Sequence, residues 1–276
     1  KVTFYGVSPV QLDVLAATGP DVPMLCYRMS GGEVVIDNLS IIPPEGGASI
    51  NIVGHQSVKI GRVLHRQHAG THASPTGVQI SRCYDVDIDG FRPRAMSTSS
   101  GDAYPLNIAN SQNVRIKGGS FYSNWHCIAL GGTGAVGCVP CREIVIDHAT
   151  LMADTTRGMG SADSHGNCDG VVYSNCTLYG ASPSGKNIAL LNCTIHGRPP
   201  EFFADGAAVY GYEVLGGVFR IHNCTLISHG NNQSFGLIHL VANSIQHDLL
   251  VDIRDLTIQS WSPNATSPRI LTVNLG

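Results

Sequence analysis

The sequence is short of charge. Only 13% of its 276 residues are Asp, Glu, Lys or Arg, and the formal net charge is −3; an ordinary globular chain carries about twice that charged share. The 17 Lys and Arg form no run, which excludes the basic face of a nucleic-acid binder. No apolar stretch approaches the roughly 18 residues of a membrane helix, and no N-terminal segment has the order of a signal peptide. Lys1 is not a translation start, so the chain is read as a trimmed piece or an internal domain. Helical patterns are missing too, apart from a modest candidate at Pro9–Thr18. Without strands alternating with helices of about 10 to 15 residues, Rossmann and TIM-barrel architectures are excluded.

What the chain has instead is glycine, 32 residues of it, with frequent Asn, Ser and Thr. That composition suits an all-β protein full of tight turns. Nine cysteines is an odd number, so they cannot all pair within the chain. Cys138 and Cys141 form a C-x-x-C, but zinc needs a second such pair and the sequence has none; a structural loop is expected there. Cys176, Cys193 and Cys224 share one context and are expected as small buried apolar residues, in keeping with synthesis in a reducing cytoplasm.

That shared context belongs to a repeat. Short apolar runs recur as Val58-x-Ile60-x-x-Val63, Val86-x-Ile88-x-x-Phe91, Val171-x-Tyr173-x-x-Cys176, Ile188-x-Leu190-x-x-Cys193, Phe219-x-Ile221-x-x-Cys224 and Val251-x-Ile253-x-x-Leu256. Val114-x-Ile116 and Ile144-x-Ile146 fit with a small shift. Period two marks a strand with one face inward, and the step of three marks a bend before a second strand. Asn-Cys-Thr stands at the bend three times, at 175–177, 192–194 and 223–225. Glycosylation sequons are one reading. The structural reading is preferred, because Asn tolerates a left-handed backbone and stacked copies can bond to one another. One such coil cannot bury its own apolar face, whereas stacked coils can. The fold class expected is all-β, a single-stranded right-handed parallel β-helix of about nine coils over residues 33–276, with residues 1–32 as lead-in and cap. Insertions at His65–Pro75, Pro93–Ala103, Gly131–Cys141, Ala153–Asn167, Ala181–Lys186 and Gly197–Asp205 are expected to collect on the binding side.

The repeated coils, the turn Trp125-His126-Cys127-Ile128-Ala129-Leu130-Gly131-Gly132 and the segment Ala162-Asp163-Ser164-His165-Gly166-Asn167-Cys168 resemble the pectate-lyase-like family. More narrowly they resemble the carbohydrate-active β-helix domains of bacteriophage tailspikes. The resemblance implies a homotrimeric polysaccharide depolymerase at the virion surface or outside the cell, acting on a capsule, exopolysaccharide or O-antigen. Pectate lyases of the family hold calcium in clustered Asp residues. Here the Asp residues are scattered, so no metal and no cofactor is expected. The expected partner is the polysaccharide, with no nucleic acid and no membrane insertion.

The segment Arg157–Asp169 is the first candidate site, with a guanidinium, two carboxylates and an imidazole among small residues. Its register is ambiguous. Elsewhere the last inward residue of one coil lies six positions before the first inward residue of the next, as in Ile52 to Val58, Ile80 to Val86 and Ile108 to Val114. That rule would bury Asp163 and His165. A one-residue slip instead puts Ala162, Ser164 and Gly166 inside and Asp163 and His165 outside; the slip is preferred because burying an Asp–His pair is costly.

Coils lie about 4.8 Å apart, which brings neighbouring coils into the site. The catalytic candidates are His126, Arg157, Asp163, His165 and Asp102. Asn124, Trp125, Tyr104, Asp205 and Tyr210 are the substrate-binding candidates, with Glu201, Phe202, Phe203 and Tyr212 nearby. A lyase needs a group to neutralise a sugar carboxylate, a base and a proton donor. Arg157 or Asn124 suits the first role, His126 or His165 the second, and a Tyr or the other His the third. A hydrolase needs two carboxylates about 5 to 9.5 Å apart, which Asp163 with Asp102, Asp154, Asp169 or Asp205 would supply. The expectation is β-elimination at an acidic sugar, with a glycoside hydrolase and a non-catalytic carbohydrate-binding or structural module as alternatives. His65, His68 and His72 are read as a solvated loop, and Leu237–Val241 as a possible source of intersubunit contacts.

Overall fold

A computed structural model of the chain describes residues 2–13, 33–42, 47–54, 56–65, 75–92, 94–95, 104–123, 125–131, 140–153, 160–197, 207–228, 236–242, 248–259 and 270–275. Among these residues no helix occurs, and the strands stack into three sheets of eleven, nine and seven strands. From Val86 onward each coil gives one strand to each sheet, whereas Ser57–Ile60 and Val63–His65 both join the eleven-stranded sheet. Gln112–Lys117 lies in the eleven-stranded sheet, Ser120–Ser123 in the seven-stranded sheet and Ile128–Gly131 in the nine-stranded sheet; Cys141–Asp147 then returns to the first sheet one level on. Pairing between levels is parallel, for example Val114 with Val86 on one side and Ile144 on the other. The fold is a parallel β-helix.

The repeat read from the sequence is the core. Val58, Val86, Val114, Ile144, Val171, Ile188 and Phe219 succeed one another in register, and none is more than 1% exposed. Burying one such side chain contributes on the order of 2 kcal/mol. The second strand adds Phe91 and Phe121, packed edge to face with ring centroids 5.8 Å apart. Cys176, Cys193 and Cys224 point inward as expected. All seven described cysteines are buried and none forms a disulfide; Cys141 stacks on Cys168 in the same way, as a core residue.

The bends carry a ladder of side-chain amides. Asn175, Asn192 and Asn223 all have left-handed backbones, with φ of 53°, 54° and 52°. Asn223 Nδ2 donates to Asn192 Oδ1 (2.9 Å), Asn192 Nδ2 donates to Asn175 Oδ1 (3.2 Å), and Asn175 Nδ2 donates to Asp147 Oδ1 (2.8 Å). Asp147 also accepts from Ser174 and contacts His148. The bonds from Ser174, Asn175 and His148 hold the Asp147 carboxyl down to about 2.

Two expectations are corrected. Val2–Asp13 is a strand, not the start of a helix over Pro9–Thr18; Val10–Asp13 pairs with Leu39–Ile42, and residues 14–18 lie outside the described residues. The edge of a stacked sheet presents unpaired N–H and C=O groups. Pairing satisfies them residue by residue, whereas an isolated helix of this length is marginal. Leu237, Ile238 and Leu240 are fully buried in the core rather than outward, and only Val241 of that run is half-buried. No described helix is long and apolar enough to cross a membrane.

Replacing Asn192 by Ala is expected to destabilise the fold by about 2 kcal/mol, from the left-handed backbone and the two lost amide bonds. Asn192→Gly keeps the backbone free and is expected to cost less. Urea unfolding of both variants checks this; equal losses would show that the backbone conformation plays no part.

Candidate active site

The nine-stranded sheet settles the register of the Asp163 segment. Ala162 pairs with Ile128 and Ser164 with Leu130, both core residues, while Asp163 pairs with Ala129. Ala162 and Ser164 are fully buried and inward. Asp163 and His165 stand on the outer face, as the slipped register predicts, but Gly166 is not inside as that register expects: it lies in the turn and lines the groove. The extra residue is taken up in the turn His165–Asn167, where Cys168 N bonds back to His165 O (3.0 Å).

Serines lock this turn to its neighbours. Ser164 Oγ donates to Ser184 O (2.9 Å) and accepts from Ser184 N (2.8 Å). Ser184 Oγ in turn accepts from the backbone N–H groups of Tyr212 and Glu213, each at 3.2 Å. Three successive coils therefore deliver Asp163 and His165, Ser184, and the pair Tyr212–Glu213 to one place.

At the centre is the Asp163 carboxylate, outward-facing yet only 1% exposed. His165 Nε2 lies 3.2 Å from Asp163 Oδ2, in a contact bent enough to act as an ion pair more than a linear hydrogen bond. His126 Nε2 lies 3.8 Å from the same oxygen. Tyr212 OH donates to Asp163 Oδ1 (3.3 Å) and sits 2.9 Å from His165 Nδ1. His165 Nδ1 is also 3.8 Å from Glu213 Oε2, which accepts from Gly166 N at 2.7 Å. Space is tight. A Cβ on Gly131 would come within 3.1 Å of the His165 ring, and one on Gly166 within 3.2 Å of Glu213 Oε2.

Burial separates the roles. The His165 side chain is half exposed, while His126 is 6% exposed. His126 is fixed from behind: its Nδ1 donates to Gly160 O (2.7 Å), and its ring is stacked by Tyr104 and met edge-on by Trp125. The Asp163 carboxylate, as hydrogen-bonding and charged neighbour, raises the His165 pKa against the burial that lowers it. Burial and the charges of Asp163 and Glu213 push the Tyr212 phenol up, so it keeps its proton.

His165 and Glu213 form one end of a groove of about 770 Å³ on the outer face of the nine-stranded sheet, within the range of ligand sites. The groove runs across the coils of Ala129–Gly131, Asn107–Asn110, Gln79–Arg82 and Asn51–Val53. Its outer column, Asn51, Gln79 and Asn107, is a stack of amides in register.

The family model of Gp49, pectin lyase-like, matches residues 70–275, about three-quarters of the chain, with His126, Asp163, His165, Tyr212 and Glu213 all inside the match. The chain belongs to the Gp49 pectin lyase-like family. The tailspike gp61 of Pseudomonas phage phi297 is similar at 31% identity and a TM-score of 0.75, over 87% of this chain and 40% of that one. The tailspike gp49 of Pseudomonas phage LKA1 follows at 27% and 0.70, over 88% and 46%. The gp54 tailspike of Acinetobacter baumannii bacteriophage AP22, solved with a capsular saccharide, shares the fold at 22% and 0.55, over 86% and 40%. The chain thus spans less than half the length of the tailspikes it matches. No curated protein matches the sequence.

Within this Gp49-like chain, His165 and His126 meet at the Asp163 carboxylate, and Tyr104 and Trp125 pack on the His126 ring. Tyr210 is half-buried, against Tyr212 and His239 at centroid distances of 6.1 and 5.2 Å. Arg157, Asp102, Asn124, Asp205, Asp154, Glu201, Phe202 and Phe203 lie outside the described residues, as do His68, His72 and Cys138. No cluster of three metal-binding side chains occurs among the described residues. Sequence reasoning missed Glu213 as a site residue, along with the groove's Arg82, Asn107 and Gln79. The signal for Glu213 was Tyr-x-Tyr-Glu just before the inward Val214, a polar turn at the same corner as His165.

Replacing Asp163 by Asn removes the charge that raises the His165 pKa, so the His165 titration midpoint is expected to fall, as followed by NMR of a selectively labelled histidine. The raised pKa also means that the pair stabilises the fold fully below about pH 6.5, with the contribution lost as pH rises through the His165 midpoint. An unchanged midpoint in Asp163→Asn would contradict the assignment.

Proposed function

We propose that the chain is a polysaccharide depolymerase module that acts on an acidic bacterial surface glycan by β-elimination. The observation that carries this is His165: half exposed at the groove wall, backed by a buried carboxylate and 2.9 Å from a phenol that holds its proton. His165 in its neutral form, populated above its raised midpoint, takes the proton alpha to the sugar carboxylate. The electron pair forms the C=C bond as the glycosidic C–O bond breaks, and Tyr212 protonates the leaving oxygen. Asp163 and His126 position the His165 ring. Asn167, in the groove wall beside His165, joins Arg157 and Asn124 as a candidate to neutralise the sugar carboxylate. The likeness to two Pseudomonas phage tailspikes supports a virion-surface location, and the homotrimer that the tailspike resemblance implies is part of the same proposal.

Hydrolysis is the second reading, and Glu213 favours it. The contacts of 3.2 and 3.8 Å across one imidazole place the Asp163 and Glu213 oxygens no more than about 9 Å apart, a bound that admits both the retaining and the inverting separation. Against it, Asp163 is sealed from the groove. A non-catalytic binding module would keep the groove and lose nothing on removal of His165.

The test is incubation with purified capsular and O-antigen polysaccharides. Unsaturated, ultraviolet-absorbing products are expected, with His165→Ala slowing their release by about 100-fold or more while glycan binding is retained. Products showing only new reducing ends, abolished by Glu213→Gln, would replace elimination with hydrolysis. No cutting of any polymer would leave a binding module.

A further inference from the structure

Arg82 stands where the fold does not favour an arginine. The chain leaves the nine-stranded sheet by a left-handed turn at three successive levels, at Gly54 (φ 75°), Arg82 (φ 55°) and Asn110 (φ 51°). Each turn residue donates its N–H to the next coil: Gly54 to Ser81 O (2.9 Å), Arg82 to Ala109 O (3.0 Å) and Asn110 to Gly131 O (2.9 Å). Gly and Asn adopt this backbone readily, whereas a longer L side chain is strained in it. Strain of this kind concentrates at functional sites.

The position is also singular in charge. Arg82 is the one Lys or Arg among the described residues lining the groove, and Glu213 the one carboxylate. They stand apart along the groove, with the amides of Asn107 and Asn110 at a level between and Gln79 on the strand that leads into Arg82. The strands place Ser81, Ala109 and Gly131 in one outer column, and His165 lies across Gly131 at the next level. Three coil steps therefore separate Arg82 from His165, about 14 Å, the length of a short oligosaccharide laid along the axis.

We propose that Arg82 is a specificity-determining residue that binds a sugar carboxylate several residues away from the bond that is cut. The guanidinium fork matches a carboxylate in two parallel bonds, and the intervening amides read hydroxyl and acetamido groups. The groove so selects a polymer with acidic sugars spaced along it, beyond the one at which elimination occurs. This rests on the reading that the groove takes a glycan.

Arg82→Asn tests it with little risk to folding, since Asn already holds the matching turn one coil on. Binding is measured in a His165→Ala background against purified bacterial surface polysaccharides, each native and carboxyl-reduced. Arg82→Asn is expected to keep or raise the thermal midpoint, to weaken binding of native acidic polymer by about tenfold or more, and to lose much of the discrimination against the carboxyl-reduced form. Equal binding by Arg82→Asn and its Arg82 parent overturns the proposal, as does equal binding of native and reduced polymer by the parent, or no binding of any acidic polymer. Binding that obeys Arg82 without any cutting by the unmodified chain would instead overturn the depolymerase reading and leave the Arg82 assignment standing.

Discussion

The register in which one coil sits on the next governs everything at the groove. Parallel pairing at about 4.8 Å per level places each outward side chain directly over its counterpart in the neighbouring coil. Residues far apart in sequence thereby become neighbours: His126, Asp163 and Tyr212 meet across levels although 37 and 49 positions separate the pairs. The amide ladder at the bends and the V-x-I columns in the core hold that register on two sides. Sliding one coil by a single residue would turn its whole outer face inward.

Against this regular frame the site is a local departure. One extra residue in the turn at His165 turns Asp163 outward, and Ala129 and Gly131 leave room for the His165 ring where neighbouring coils carry larger groups. The cost is a carboxylate taken out of water. Asp163 is tolerated because Tyr212 donates to one oxygen and two imidazoles face the other. In such a setting a charge acts more strongly on its neighbours than at an exposed surface, which is why His165 holds its proton more tightly than a free imidazole. The result is a layered arrangement, with fixed groups behind and a half-exposed titratable ring in front.

Much of the fold was legible because the pattern is periodic. Alternation gave the strands, the step of three gave the bends, and three Asn-Cys-Thr copies pointed to stacked left-handed turns. Pattern counting failed where periodicity was broken. Counting six positions back from Val171 buries His165, and only the preference for keeping an Asp–His pair out of the core chose the other register. The strand at Val2–Asp13 was missed because its stability comes from the sheet edge it covers. Glu213 was missed because it stands 47 residues from Gly166, to which it bonds: Tyr-x-Tyr-Glu marks a polar turn, but only the stacking of coils shows which turn it faces. Arg82 drew no notice as one thinly spread cation; its significance lies in a backbone angle and a level in the stack.

The account places the glycan along one face of the solenoid. A crystal structure of the His165→Ala variant with a bound oligosaccharide tests this most directly. Sugar rings along the outer face of the nine-stranded sheet, with one beside Glu213 and Tyr212 and the chain running toward Arg82, are the predicted result. An oligosaccharide seated on the outer face of the eleven- or seven-stranded sheet, with this groove empty, would contradict it.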